Sequence, residues 1–172
     1  GRISAIFYIS DRKLDFKIYA TNITEKNAQH YNSSFTKWNG MWISLPMNDE
    51  DLNQILQNKL PVADGEETGR RMVRGVSLSE EISFIPCSHK FCDLHKLNDL
   101  ARMFNRMNDH ELRILKKSMD SRPAGDYSIV HEVCRNILDS ADRNKSIRNQ
   151  IENAKRRPDK NINRINNKEL VR

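Results

Sequence analysis

The apolar residues of this chain change their spacing part-way along it. Ile3, Ala5 and Phe7 recur at every second position, and Leu14, Phe16 and Ile18 alternate with polar neighbours. Further on, Leu97, Leu100, Phe104 and Met107 recur at helical intervals, and Ile129, Val130, Val133, Cys134, Ile137 and Leu138 fill one helical face. A period of two gives a strand with one buried face, and a period near 3.6 gives a helix with one buried stripe. Short alternating strands together with amphipathic helices in one chain predict an α+β domain.

Local signals set the boundaries. Residues 3–7 and 14–18 read as a β-hairpin turning at Asp11-Arg12-Lys13, followed by a helix over residues 23–35. Trp38-Asn39-Gly40-Met41-Trp42 interrupts that helix and opens a short strand over residues 42–44. Asn48 is an N-cap, with Asp49, Glu50 and Asp51 in the first turn, where the helix dipole favours negative charge, and Leu52, Ile55 and Leu56 as the apolar stripe. Residues 61–71 are polar and loop-like. Short strands are predicted over residues 72–78 and 82–86. Asn108-Asp109-His110-Glu111 caps a helix carrying Leu112 and Leu115, Pro123-Ala124-Gly125 ends it, and Asp126 caps the last clear helix. Past Ala141 the apolar residues thin to isolated isoleucines and Pro158 interrupts, so fraying, or ordering only against a partner, is expected there.

With 172 residues, 37% apolar and 30% charged, the chain has room for one modest core and a polar extension. The division expected is a domain over residues 1–140 and a tail over residues 141–172. The tail holds ten Lys and Arg against four Asp and Glu, a balance of +6 that equals the net charge of the whole chain. A basic, Asn-rich tail on a neutral body seeks phosphates, because Lys and Arg there release counterions whatever the sequence bound. No run approaches the roughly 18 continuous apolar residues of a membrane span. Three cysteines, an odd number at low density, favour a reducing, intracellular compartment, nuclear or cytoplasmic.

The densest set of soft ligands is Cys87-x-His89-x2-Cys92-x2-His95, two Cys and two His, which is a permitted zinc set. Four ligands within nine residues must wrap one tetrahedron with little scaffold; the alternative is a strand end and helix start carrying buried Cys and polar His. No Gly-rich phosphate loop, His-Glu-x-x-His or Gly-x-Ser-x-Gly occurs, and five scattered histidines give no distinctive base, so no catalytic residue, cofactor or enzyme activity is assigned. Trp38 and Trp42 flank Gly40 outside any apolar run. Aromatic faces at a polar strand end are platforms for unstacked bases, although Trp42 packed beneath the next helix is an equal alternative.

Residues from Phe16 onward resemble the front half of a YTH domain, the module that encloses N6-methyladenosine of RNA in an aromatic cage. Gly40-x-Trp42-x-x-Leu45-Pro46-x-Asn48-x-x-x-Leu52-Asn53 is similar to the family's stretch from its first cage tryptophan through Pro-x-Asn into a helix, and Asn105-Arg106-Met107-Asn108-Asp109-His110 resembles its Asn-x-x-Asn-Glu segment. The family's Lys-Ser after the first strand is here Ala20-Thr21, and no tryptophan follows Trp42, so Phe84 is the substitute for a second cage wall. The resemblance implies a small mixed β-sheet or partial barrel packed by three to five helices, with single-stranded RNA as ligand. It places Asp120 at the Asp of a family Arg-Asp pair.

The leading function is therefore single-stranded RNA binding, extending to a motif that contains adenosine or methyladenosine. Trp42 and Trp38 are the stacking candidates and Phe84 the second wall. Thr21, Asn22, Ser44, Leu45 and Asp120 line the pocket or hydrogen-bond within it, and Lys155, Arg156 and Arg157 hold phosphates. The competing reading is a protein-interaction adaptor, zinc-stabilised at Cys87, His89, Cys92 and His95.

Overall fold

β1 (Phe16–Thr21) runs through the middle of the sheet, and its alternation decides which face meets the core. Phe16, Ile18 and Ala20 are buried, while Lys17 is exposed and Tyr19 half-buried. The computed structural model describes residues 14–28, 38–63, 69–122 and 125–156. It sets β1 between β2 (Gly40–Ser44) and β3 (Arg70–Leu78), with β4 (Lys90–Asp93) beyond β3. Every pairing among the described residues is antiparallel, so the protein is α+β, with an antiparallel sheet where a mixed one was expected. The β1–β3 register slips once: Tyr19 pairs with Gly75 and Ala20 with Val73, which leaves Arg74 as the extra residue of a bulge.

Three of the four helices start at the expected caps, and Asp93 is a further one. Asn48 starts α1 (Asp49–Asn58), its side chain accepting from the Glu50 N–H at 2.8 Å behind three acidic first-turn residues. Asp93 caps α2 (Leu94–Arg106) by accepting from the N–H groups of His95 and Lys96. A complete capping box between Asn108 and Glu111 starts α3 (Asp109–Asp120). Asp126 accepts from the Ser128 N–H at the start of α4 (Tyr127–Arg156). Helix α2 lies on the inner face of the sheet: the Phe16 and Phe104 rings stack with centroids 6.1 Å apart, and the Leu14 N–H donates to Asn105. Leu97, Leu100, Ala101 and Phe104 are buried there, each large side chain contributing about 1.5–3 kcal/mol by leaving water. Buried Asn98 pins the lead-in to α1 by accepting from the Met47 N–H at 2.8 Å and donating to the Met47 carbonyl at 2.9 Å.

Several expectations need correction. The first strand of the predicted hairpin, residues 3–7, lies outside the described residues. Over residues 17–20, β1 has β2 on one side and β3 on the other. The expected helix over residues 23–35 begins as a turn locked by Thr24 and Asn27, whose side chains each accept from the other's N–H, and residues 29–37 are not described. In place of a strand over residues 82–86 there is a 3-10 turn (Glu80–Ile82) and a loop, held by N–H bonds back to Ser79 and Glu80. The partner of β3 is instead β4, inside the Cys and His cluster.

The chain divides into two compact units, Gly1–Arg135 and Asn136–Arg172. In the second, α4 continues past Ala141 to Arg156 where fraying was expected. No Gly or Pro interrupts the sequence between Asp126 and Pro158, so nothing removes a helical hydrogen bond along it. Every residue from 142 to 155 is exposed.

Candidate nucleic-acid interface

The side chains that β1 turns away from the core begin a second surface. Lys17 and Tyr19 point outward, and the register brings Ser44 beside Lys17, and Trp42 and Gly75 on either side of Tyr19. The Trp42 indole meets the Tyr19 ring edge-on, with centroids 5.5 Å apart and planes at 65°, a favourable arrangement of ring quadrupoles. Two glycines make room for the pair. A Cβ on Gly40 would fall 2.6 Å from the Tyr19 ring, and one on Gly75 would touch Trp42 at 3.4 Å. The rings thus lie across strand backbone with no side chain beneath them at those positions. Trp42 remains 54% exposed, so it is not packed beneath a helix.

The bulge supplies charge next to this platform. A bulge re-aims the side chain it carries, and Arg74 stands with its guanidinium carbon 4.8 Å from the centre of the half-buried Trp38 ring. Strands β1, β2 and β3 contain Lys17, Arg70, Arg71 and Arg74 and no Asp or Glu. Arg70 is paired with Glu25, and Arg71 is buried, with N–H groups on the carbonyls of Leu60 and Arg70. Lys17 and Arg74 are the exposed cations of the three strands. A separate cavity of about 260 Å³, lined in part by Asn53, Gln57, Arg71 and His95, contains none of the residues expected to contact RNA.

The remaining expected residues fall in different places. Thr21 and Asn22 are buried: Thr21 donates to the Met72 carbonyl at 2.9 Å, and Asn22 exchanges hydrogen bonds with the Asn39 backbone through its own N–H and its Oδ1. They hold the Trp38-Asn39-Gly40 approach to β2 in position and present no free edge to a ligand. Ser44 is exposed on β2. Leu45 is buried, joined to Pro46 by a cis peptide bond, with its N–H on the Phe16 carbonyl. Phe84 is half-buried in the loop after the 3-10 turn, and among the described residues the ring that meets Trp42 is that of Tyr19. Asp120 is exposed at the last residue of α3. Lys155 is exposed in the last turn of α4, Arg156 ends that helix, and Arg157 lies outside the described residues.

Sequence reasoning missed Tyr19 and Arg74. The alternation that buried Phe16 and Ile18 already placed Tyr19 on the opposite face; nothing local marked Arg74, because a bulge is defined by the partner strand.

The Cys and His cluster does not form a metal cage. Among the described residues no three His, Cys, Asp or Glu make a group able to hold a metal ion. Cys87 and Cys92 are buried, His89 is exposed at a φ of 57°, and His95 sits in the first turn of α2. Burial pushes the Cys87 thiol up to about 11 and the Cys92 thiol up to about 12, so both are neutral thiols, with Cys92 donating weakly to the Cys87 carbonyl. No protein-family model, curated protein or solved structure matches the chain.

Proposed function

We propose that the outer face of the sheet binds single-stranded RNA, with an unstacked base lying on Trp42. The observation that carries this reading is an indole 54% exposed on an open strand face, propped edge-on by Tyr19, with exposed Lys17 two residues before Tyr19 on β1 and exposed Arg74 over the Trp38 ring. A flat aromatic held rigidly in water offers a base about 1–3 kcal/mol of stacking, and neighbouring Lys and Arg meet the phosphates on either side. The resemblance of the Gly40–Asn53 motif to the YTH family supports RNA as the polymer, and it makes methylated adenosine the first modified base to try on Trp42. Lys155, Arg156 and Arg157 add sequence-independent phosphate contacts. The chain is read as a binding module with no catalytic step.

The test is a titration of the whole chain with short single-stranded RNAs, with and without N6-methyladenosine, and with the matching DNA, followed by tryptophan fluorescence. Quenching that saturates and weakens with salt is expected. The reading is overturned if no RNA quenches tryptophan fluorescence while the protein is folded.

A further inference from the structure

The distal part of α4 leaves an apolar seam in water. Asn144, Ile147, Ile151 and Ala154 are spaced three, four and three residues apart, the interval that keeps side chains on one face of a helix packed against another helix. Ile147 is 53% exposed and Ile151 49%, and residues 142–155 are exposed throughout. The positions bordering the seam are Arg143 and Gln150 on one side and Arg148 and Lys155 on the other. The one acid of this stretch beyond Asp142 is Glu152, which lies outside the seam, four residues after Arg148 and three before Lys155, on the outer flank of that border.

This pattern selects among occupants. A second copy of the same helix would bring Arg143 against Arg148 in a parallel pair, or Arg148 against Lys155 in an antiparallel one, and facing like charges are destabilising. A phosphate backbone satisfies the cations but leaves Ile147 and Ile151 without apolar contacts. A membrane surface is poorly served, since residues 142–155 contain no aromatic residue and no Leu. We infer that residues 143–155 form a docking seam for an acidic amphipathic helix of another protein, which covers Ile147 and Ile151 and sets carboxylates against Arg143 and Arg148. Asn144 sits where a polar seam residue fixes register at some cost in affinity. The inference stands independently of RNA binding on the sheet.

The experiment uses the full chain and two synthetic helical peptides with the same Leu and Ile seam and one matching Asn. One peptide carries Glu at every bordering position and the other carries Lys. Titration calorimetry should show one acidic peptide bound per chain, at least tenfold weaker binding to the Ile147→Ser/Ile151→Ser variant, and none of the basic peptide. Both substitutions are at exposed positions, and an unchanged melting temperature verifies the fold. Failure of the acidic peptide to bind, equal binding of both peptides, or binding indifferent to the two isoleucines overturns the inference. So does self-association of the free chain in sedimentation, or attachment to anionic phosphatidylserine vesicles that the two serines abolish. None of these outcomes bears on RNA quenching of Trp42, so the two ideas fail separately.

Discussion

Tyr19 props Trp42: their rings meet edge-on at 5.5 Å, and the contact leaves more than half of the indole in water. The two residues face each other across the β1–β2 ladder, so the platform is set by strand register and does not depend on a loop. A side chain held by a cross-strand neighbour gives up little rotational freedom when a base stacks on it.

Trp42→Ala separates the binding role from a packing role. With its indole largely in solvent the substitution should leave the melting temperature within a few degrees, while RNA affinity falls by about 1–3 kcal/mol. A core tryptophan would instead cost roughly 3–5 kcal/mol of stability. Thermal melts and RNA titration of this single variant distinguish the two.

Gly40→Ala tests the prop. The new Cβ would stand 2.6 Å from the Tyr19 ring, which must swing away, so about 1–3 kcal/mol of stability should be lost together with the Tyr19–Trp42 geometry. In the background of Tyr19→Ala the same substitution should cost almost nothing. Additive costs in that double-mutant cycle would show that the ring and the glycine do not meet.

The contrast between these residues explains what was legible in the sequence. The caps at Asn48, Asn108 and Asp126 were readable because capping is a local exchange between a side chain and the next few N–H groups. Strands β1 and β3 were readable from alternation and β-branched residues. Pairing was not, because the choice of β2 and β3 as the neighbours of β1 depends on which segments share the inner face. That is why residues 82–86, apolar enough for a strand, became a turn, while Lys90–Asp93 became β4. At the site, Trp42 was visible as an aromatic in a polar setting. Thr21 and Asn22 were misassigned as ligand contacts because sequence does not tell a buried hydrogen-bonding side chain from an exposed one. The continuation of α4 to Arg156 had a readable cause in the lack of Gly and Pro, which the thinning of apolar residues obscured.

Asn98→Ala should be among the more damaging single changes away from the platform. It removes two bonds to the Met47 backbone at a fully buried position and leaves the Met47 N–H unsatisfied, while the carbonyl keeps its bond from Arg102 at 2.8 Å, a loss of about 1–3 kcal/mol. Urea unfolding measures it. A loss below about 0.5 kcal/mol would mean that water replaces the asparagine.

His89→Gly should raise stability. His89 is exposed and occupies the left-handed region at a φ of 57°, which costs a residue with a Cβ about 1–2 kcal/mol. Relief of that strain exceeds the added freedom of glycine in the unfolded chain, so a net gain of about 0.5–1 kcal/mol is expected, while His89→Val should be destabilising. A shift in urea midpoint with unchanged slope reads both.

Alkaline pH should unfold the protein through its thiols. Burial holds Cys87 up to about 11 and both Cys92 and Cys134 up to about 12, whereas in the unfolded chain each titrates near 9. Above pH 9 the unfolded chain therefore releases protons that the folded chain retains. Stability from the neutral thiols is complete below pH 9 and is lost as pH rises through the folded values, by at most about 1.4 kcal/mol per pH unit for each thiol. Under reducing conditions, urea midpoints between pH 8 and 10.5 should fall more steeply for the native sequence than for Cys134→Ala. The two proteins differ only at position 134, so the difference in slope isolates Cys134, whose thiol is raised by burial alone. Parallel slopes would show that Cys134 ionises within the fold as it does in water, and a native chain that reacts with iodoacetamide at pH 8 as fast as the unfolded chain would say the same of all three.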